Sequence, residues 1–214
     1  SIEDNFKAAF NLYFDNISEE KALDDLQRYA RKNRKETHFT RLFVLTKHQG
    51  LLKDFLNGDK RTKINNKPLI NTISGHDAYK LLMSPNLTID NYKLILEKYP
   101  QKLASYLNAH PEKYVALLSH FYDSESKNLP ENESLYYNFV ERVEYISQKR
   151  KNRASTHDAR VFILSKDENL KENNNNGYIK NFRGKDIHRL LTSSNIKDEI
   201  KIKILKKPSN VEKL

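Results

Sequence analysis

Apolar residues return every three or four positions along most of this chain, and that spacing predicts a succession of amphipathic helices. Phe6, Phe10, Tyr13 and Phe14 mark a first helix over 4–15. Ser18 stands where an N-cap is needed for a second helix. Glu19 and Glu20 suit its positive end, and Ala22, Leu23, Leu26, Tyr29 and Ala30 form its apolar stripe. Asn33 is expected to close that helix and Thr37 to open the next, whose buried pattern continues through Leu42, Phe43, Leu45 and Leu51–Leu52. The polar stretch from Asn57 to Ser74, with Gly58, Asn65-Asn66 and Pro68, predicts a long loop holding a short Leu69–Ile73 segment. Helical spacing resumes at Gly75 with Asp77 in a first turn. It breaks at Ser84-Pro85-Asn86 and returns from Thr88 to Lys98 as the second arm of an αα-hairpin. Another hairpin is predicted over 101–108 and 111–122, with Pro111 at a first helical position. Asp123–Glu133 is the expected linker. A strong helix with Leu135, Val140, Val143 and Ile146 follows it, and Lys185–Thr192 with Lys197–Lys206 forms a last hairpin.

Two parts of this pattern carry the same residues. Arg31-Lys32-Asn33-Arg34, Thr37-His38, Arg41, Phe43, Leu45 and Lys47 recur without a gap as Arg150-Lys151-Asn152-Arg153, Thr156-His157, Arg160, Phe162, Leu164 and Lys166. Ten of seventeen ungapped positions are identical, which predicts a tandem duplication. A second block, Gly75, Asp77, Leu81-Leu82, Ser84 and Asn86, returns as Gly184, Asp186, Leu190-Leu191, Ser193 and Asn195, after a polar interval ten residues shorter. The expected architecture is all-α: two diverged helical units, residues 1–125 and 126–214. The chain opens on Ser1, and Pro208–Leu214 resembles Pro100-Gln101-Lys102-Leu103. Both features are expected of a segment cut from a longer chain, with further repeats beyond it.

Composition sharpens this in three ways. Hydrophobic residues make up 37% and charged residues 31%, which predicts thin cores under charged helix faces. Five Gly and six Pro leave little material for a turn-rich β fold. The absence of Cys excludes disulfides, thiolate metal sites and thiol nucleophiles. No apolar run reaches the ~18–20 residues that would span a bilayer, and residues 1–4 carry no secretory-signal pattern.

The net charge of +10 is clumped: Arg28–Lys35 holds five basic residues and Lys149–Arg153 four, neither with an acid. Such clusters favour an anionic partner, either an acidic protein or a phosphate-bearing ligand such as a phosphoinositide or nucleotide; nucleic acid is a further candidate. A solvated charged face is the competing reading. On a continuous helix, Arg31, Arg34, His38 and Arg41 would share one narrow face. With a break near Asn33 they would instead flank a helix N-terminus, where unpaired N–H groups attract anions. Arg150, Arg153, His157 and Arg160 offer the same four groups, and these eight residues are the candidate binding site. The competing account is structural, with Arg and His folding back to build a helix corner. Of the aromatic residues among the basic runs, Tyr178 and Phe182 have the least explanation as core.

No GxSxG, Walker or GxGxxG pattern is present, so the sequence predicts neither a catalytic group nor a cofactor. His76-Asp77 and His157-Asp158 resemble the doublet of helical HD-type metal phosphohydrolases. That resemblance implies a metal-dependent hydrolase using His76 and Asp77 as ligands, although His76 corresponds to Lys185 in the second copy. The Lys/Asn-rich amphipathic hairpins, Leu81-Leu82-Met83-Ser84-Pro85-Asn86-Leu87-Thr88 and Leu190-Leu191-Thr192-Ser193-Ser194-Asn195-Ile196, look like helical regions of type IV-secreted (Dot/Icm-type) effectors of intracellular bacteria. The resemblance implies delivery into a host-cell cytoplasm and a host target. The expected function is a non-catalytic binding module that engages an acidic or phosphate-bearing partner through the duplicated basic motif.

Overall fold

A computed structural model describes residues 2–32, 35–125, 129–166, 184–192, 194 and 198–206. The described chain is predominantly helical, as the apolar spacing predicts, and its one sheet is a two-residue hairpin. It divides into two compact units, 1–106 and 107–214. The boundary expected at 125/126 lies at the C-terminal end of a helix that packs on the two helices following it, so that helix belongs to the second unit.

In the first unit, α1 (Ile2–Asp15), α2 (Glu19–Arg31), α3 (His38–Lys47) and α4 (Gln49–Leu56) are followed by α5 (Gly75–Leu82), α6 (Ile89–Lys98) and α7 (Pro100–Ala109), which runs across the boundary. Three of these starts have a side-chain cap. Ser18 Oγ accepts from the Lys21 N–H, Thr88 Oγ1 from the Asn91 N–H, and Ser74 with Asp77 forms a reciprocal capping box. The core is drawn from the predicted stripes: Ala22, Leu26, Leu42, Leu45, Leu51, Leu52, Leu81 and Leu82 are all fully or nearly fully buried. α3 packs on α2, α4 and α5, and α4 on α6. Gly75 starts α5 because no side chain fits there: a Cβ would sit 2.2 Å from the Lys102 carbonyl oxygen.

The interval from 57 to 74 is more structured than the expected loop. A 3-10 turn at Lys60–Thr62 leads into an antiparallel pair, β1 (Lys63–Ile64) and β2 (Lys67–Pro68). Asn65 and Asn66 close it with φ of 51° and 62°, the left-handed values that a tight two-residue hairpin requires and Asn tolerates. The hairpin delivers Leu69 and Ile70 into the core.

The second unit contains α8 (Glu112–Ser124), α9 (Leu135–Ser147), α10 (His157–Lys166), α11 (Gly184–Thr192) and α12 (Asp198–Leu205). α8 packs on both α9 and α10, burying Tyr114, Leu117, Leu118 and Phe121, and the rings of Tyr114 and Phe121 meet Phe139 of α9. The Glu125 carboxylate reaches across to the start of α9, where it accepts from the N–H groups of Leu135 and Tyr136 and from Ser134 Oγ. That contact supplies partners for donors a helix start leaves open. Tyr178, Phe182 and Pro208–Leu214 lie outside the described residues. So does 167–183, where the shorter interval of the second unit falls. Among the described residues, no helix is long and apolar enough to cross a membrane.

Candidate functional site

The duplicated basic motif forms a helix corner in each unit, not one continuous helix. In the first, α2 ends at Arg31 and α3 begins at His38. Thr37 precedes α3 without capping it by its side chain; its hydroxyl donates instead to the Tyr29 carbonyl at 3.1 Å, tying the corner back to α2. In the second, α9 ends at Ser147, a 3-10 turn spans Arg150–Asn152, and α10 begins at His157. The Thr156 hydroxyl donates to the Asn152 carbonyl at 2.8 Å.

Among the described residues, the candidates of each corner separate into an inner and an outer set. Arg41 and Arg160 are the largest fully buried side chains of the described protein. The guanidinium of Arg41 donates to the Leu69 carbonyl, which the Asn65-Asn66 hairpin brings within reach. Arg160 donates to the Arg153 carbonyl at 2.8 Å and lies 3.7 Å from Asp186 Oδ2. Burial lowers the pKa of Arg160 while Asp186 opposes that shift. A guanidinium stays charged when buried, so its burial is tolerated where carbonyls or carboxylates replace water, and both sites supply them.

The histidines are likewise engaged. His38 Nε2 lies 3.1 Å from Asp77 Oδ2, and His157 Nδ1 bonds Asp186 Oδ1. Asp77 and Asp186 hold matching places in the second sequence block, so in each unit the His of one block meets the Asp of the other. The two ties differ in detail: different ring nitrogens are used, and His157 is buried whereas His38 is half-buried. Burial raises the Asp77 pKa, but hydrogen bonding with Ser74 and the charge of His38 outweigh it and hold the carboxyl below the usual range.

The polar atoms of His38, Arg41, His157 and Arg160 thus tie α3 to α5 and the hairpin, and α10 to α11. Arg34 lies outside the described residues. Arg153 is half-buried, with its carbonyl given to Arg160 and its Nε shielded from solvent. The outer set consists of Arg31 with Lys32, and Arg150 with Lys149 and Lys151. All five are exposed, and none forms an ion pair among the described residues. The sequence signal for this separation is that Arg41 shares the apolar stripe of Leu45, and Arg160 that of Ile163, at helical spacing.

The His76-Asp77 doublet does not act as a unit. His76 stacks on Tyr79 and Tyr106, whereas Asp77 is committed to Ser74 and His38. Asp158 is exposed, 3.9 Å from Arg189. Among the described residues, no three His, Asp or Glu side chains group as a metal site would require.

No family model, curated protein or solved structure matches this chain. Functional assignment therefore rests on the chemistry of the corners alone.

Proposed function

We propose that the chain is a non-catalytic helical binding module that engages an acidic or phosphate-bearing partner through its exposed basic corners. Its units are read as diverged copies of one helical block, and the site is narrowed to Arg31, Lys32, Lys149, Arg150 and Lys151. One observation carries the proposal: in each unit the inner Arg and His are consumed in fixing the corner, while the adjacent outer cations are exposed and form no ion pair among the described residues. Within each corner the exposed outer cations repel one another, and an anionic partner would relieve that repulsion. The proposed setting, a bacterial effector segment inside a host cytoplasm, rests on the resemblance of the Lys/Asn-rich hairpins to such proteins.

The test compares two charge reversals of equal size. Arg31→Glu with Arg150→Glu should elute from immobilised heparin at clearly lower salt than a matched reversal of exposed Lys67 and Lys98, and both variants should melt at the wild-type temperature. Equal elution of the two variants would show that net charge alone, not the corners, governs binding.

A further inference from the structure

We infer that the corner following α9 is a binding platform for single-stranded nucleic acid, with Tyr145 as the base-stacking surface and Lys149, Arg150 and Lys151 as the phosphate contacts. This rests on the reading of the corners as anion-binding and names the ligand class.

Three observations converge there. Tyr145 is 56% exposed in the last turns of α9, although it belongs to a helix whose Leu135, Phe139, Val140, Val143 and Ile146 are all buried. The Arg142 guanidinium lies over the Tyr145 ring, 5.8 Å from its centroid, so the ring is held by a cation and not by the core. Lys149, Arg150 and Lys151 follow within two turns, exposed and unpaired among the described residues. From Ile146 to His157 there is no acidic residue at all. The acids of α9 are Glu141, one turn before Tyr145, and Glu144 next to it, whereas Lys149, Arg150 and Lys151 all lie on its C-terminal side.

An aromatic face beside a line of cations is what a flexible polyanion with flat bases can use. Each base has a π-face to lay on a ring or a guanidinium, and each phosphate finds a cation. An acidic peptide would use the lysines but gain little from an exposed tyrosine ring. A duplex keeps its bases stacked internally and would leave Tyr145 idle. The first unit holds a related arrangement: Arg28 lies over the Tyr29 ring at 5.5 Å, followed by exposed Arg31 and Lys32. There, however, Arg28 is also bound to Asp25 at 2.8 Å. The second unit therefore offers the less committed platform.

The test is binding of the whole chain to a fluorescein-labelled twenty-nucleotide oligothymidylate, followed by anisotropy. Three or four phosphate contacts at about 0.7 each give a log–log salt slope of roughly −2 to −3, or a ~20-fold or greater loss from 50 to 200 mM salt. Tyr145→Ala should weaken binding by about five-fold or more through lost stacking, while Tyr145→Phe, which keeps the ring, should bind as the wild type. Photocrosslinking of a 5-bromouracil oligonucleotide to the unaltered chain should map to Tyr145, which frees the result from any effect of the variants on folding. Equal binding by Tyr145→Ala, or crosslinks confined to other residues, would overturn the platform. Tighter binding to poly-glutamate or phosphoinositide vesicles than to the oligonucleotide would also overturn it, yet would leave the anion-binding reading standing. Binding to none of these anions would remove both.

Discussion

Replacing Asp186 by alanine tests whether the inner set builds the corner. Asp186 is 15% exposed in its side chain and faces two groups of α10: His157 Nδ1, and Arg160, which is 1% exposed. Removing one partner of a buried, hydrogen-bonded ion pair costs about 3–5 kcal/mol, because the other charge remains without water or a counterion. Here the loss is partly offset, since Arg160 keeps the Arg153 carbonyl at 2.8 Å and its separation from Asp186 is already 3.7 Å. An expected cost of about 2–3 kcal/mol follows, when a broken contact to a charged group is worth roughly 1.5–3 kcal/mol. For a unit of this size, each kcal/mol moves the melting temperature by roughly 4–8 °C, so a fall of about 10–20 °C is expected. Equilibrium urea denaturation gives the free energy, and hydrogen exchange of α11 amides shows whether that helix opens first. In an Arg160→Met background no buried guanidinium is left stranded, and the same substitution should cost only about 1 kcal/mol, the share of the His157 hydrogen bond. A loss below about 0.5 kcal/mol for Asp186→Ala, within the range of ordinary surface changes, would refute the argument. So would an equal cost in both backgrounds.

Two further outcomes follow from the first unit. Gly75→Ala places a methyl group 2.2 Å from the Lys102 carbonyl oxygen, and since backbone must shift to admit it, thermal denaturation should show a loss of about 1–3 kcal/mol; an unchanged melting temperature would count against the close approach. The Asp77 carboxyl has a lowered pKa in the folded chain, so its stabilising contribution is fully present above the unfolded value of about 3.9 and is lost as pH falls through the folded value. Acid titration of Asp77→Asn should show a shallower loss of stability below about pH 4 than the wild type, and identical acid limbs would contradict the tie to Ser74 and His38.

Much of the helical frame was legible because its signals are local. Ser18 caps α2 at the position its side chain and neighbours predict, helical spacing resumes at Gly75 where α5 begins, and Ser84-Pro85-Asn86 breaks the chain between α5 and α6. Asn65-Asn66 was legible as a polar break but not as a hairpin, because strands of two residues leave no alternating pattern to read. The Glu125 contact to the start of α9 was hidden for a different reason: its partners lie nine to eleven residues away across a loop, beyond any helical offset. The corners were half legible. Spacing marked the same four groups twice and set Arg41 on the stripe of Leu45, yet it could not name the carbonyl that Arg41 would meet. That depends on where the hairpin and α5 fold back. α8 joins the second compact unit through its packing on α9 and α10, a long-range cause that no local break in the sequence marks.

The split of one short motif into residues locked indoors and residues left outdoors has a consequence for how such a protein can change. Arg41 and Arg160 are frozen by the architecture, so drift at either is punished by unfolding whatever the ligand. Arg31, Lys32, Lys149, Arg150 and Lys151 carry no such obligation, and under the proposed binding role substitutions there would retune partner choice one charge at a time. A lineage carrying this fold could therefore exchange one target for another while its melting behaviour stays put.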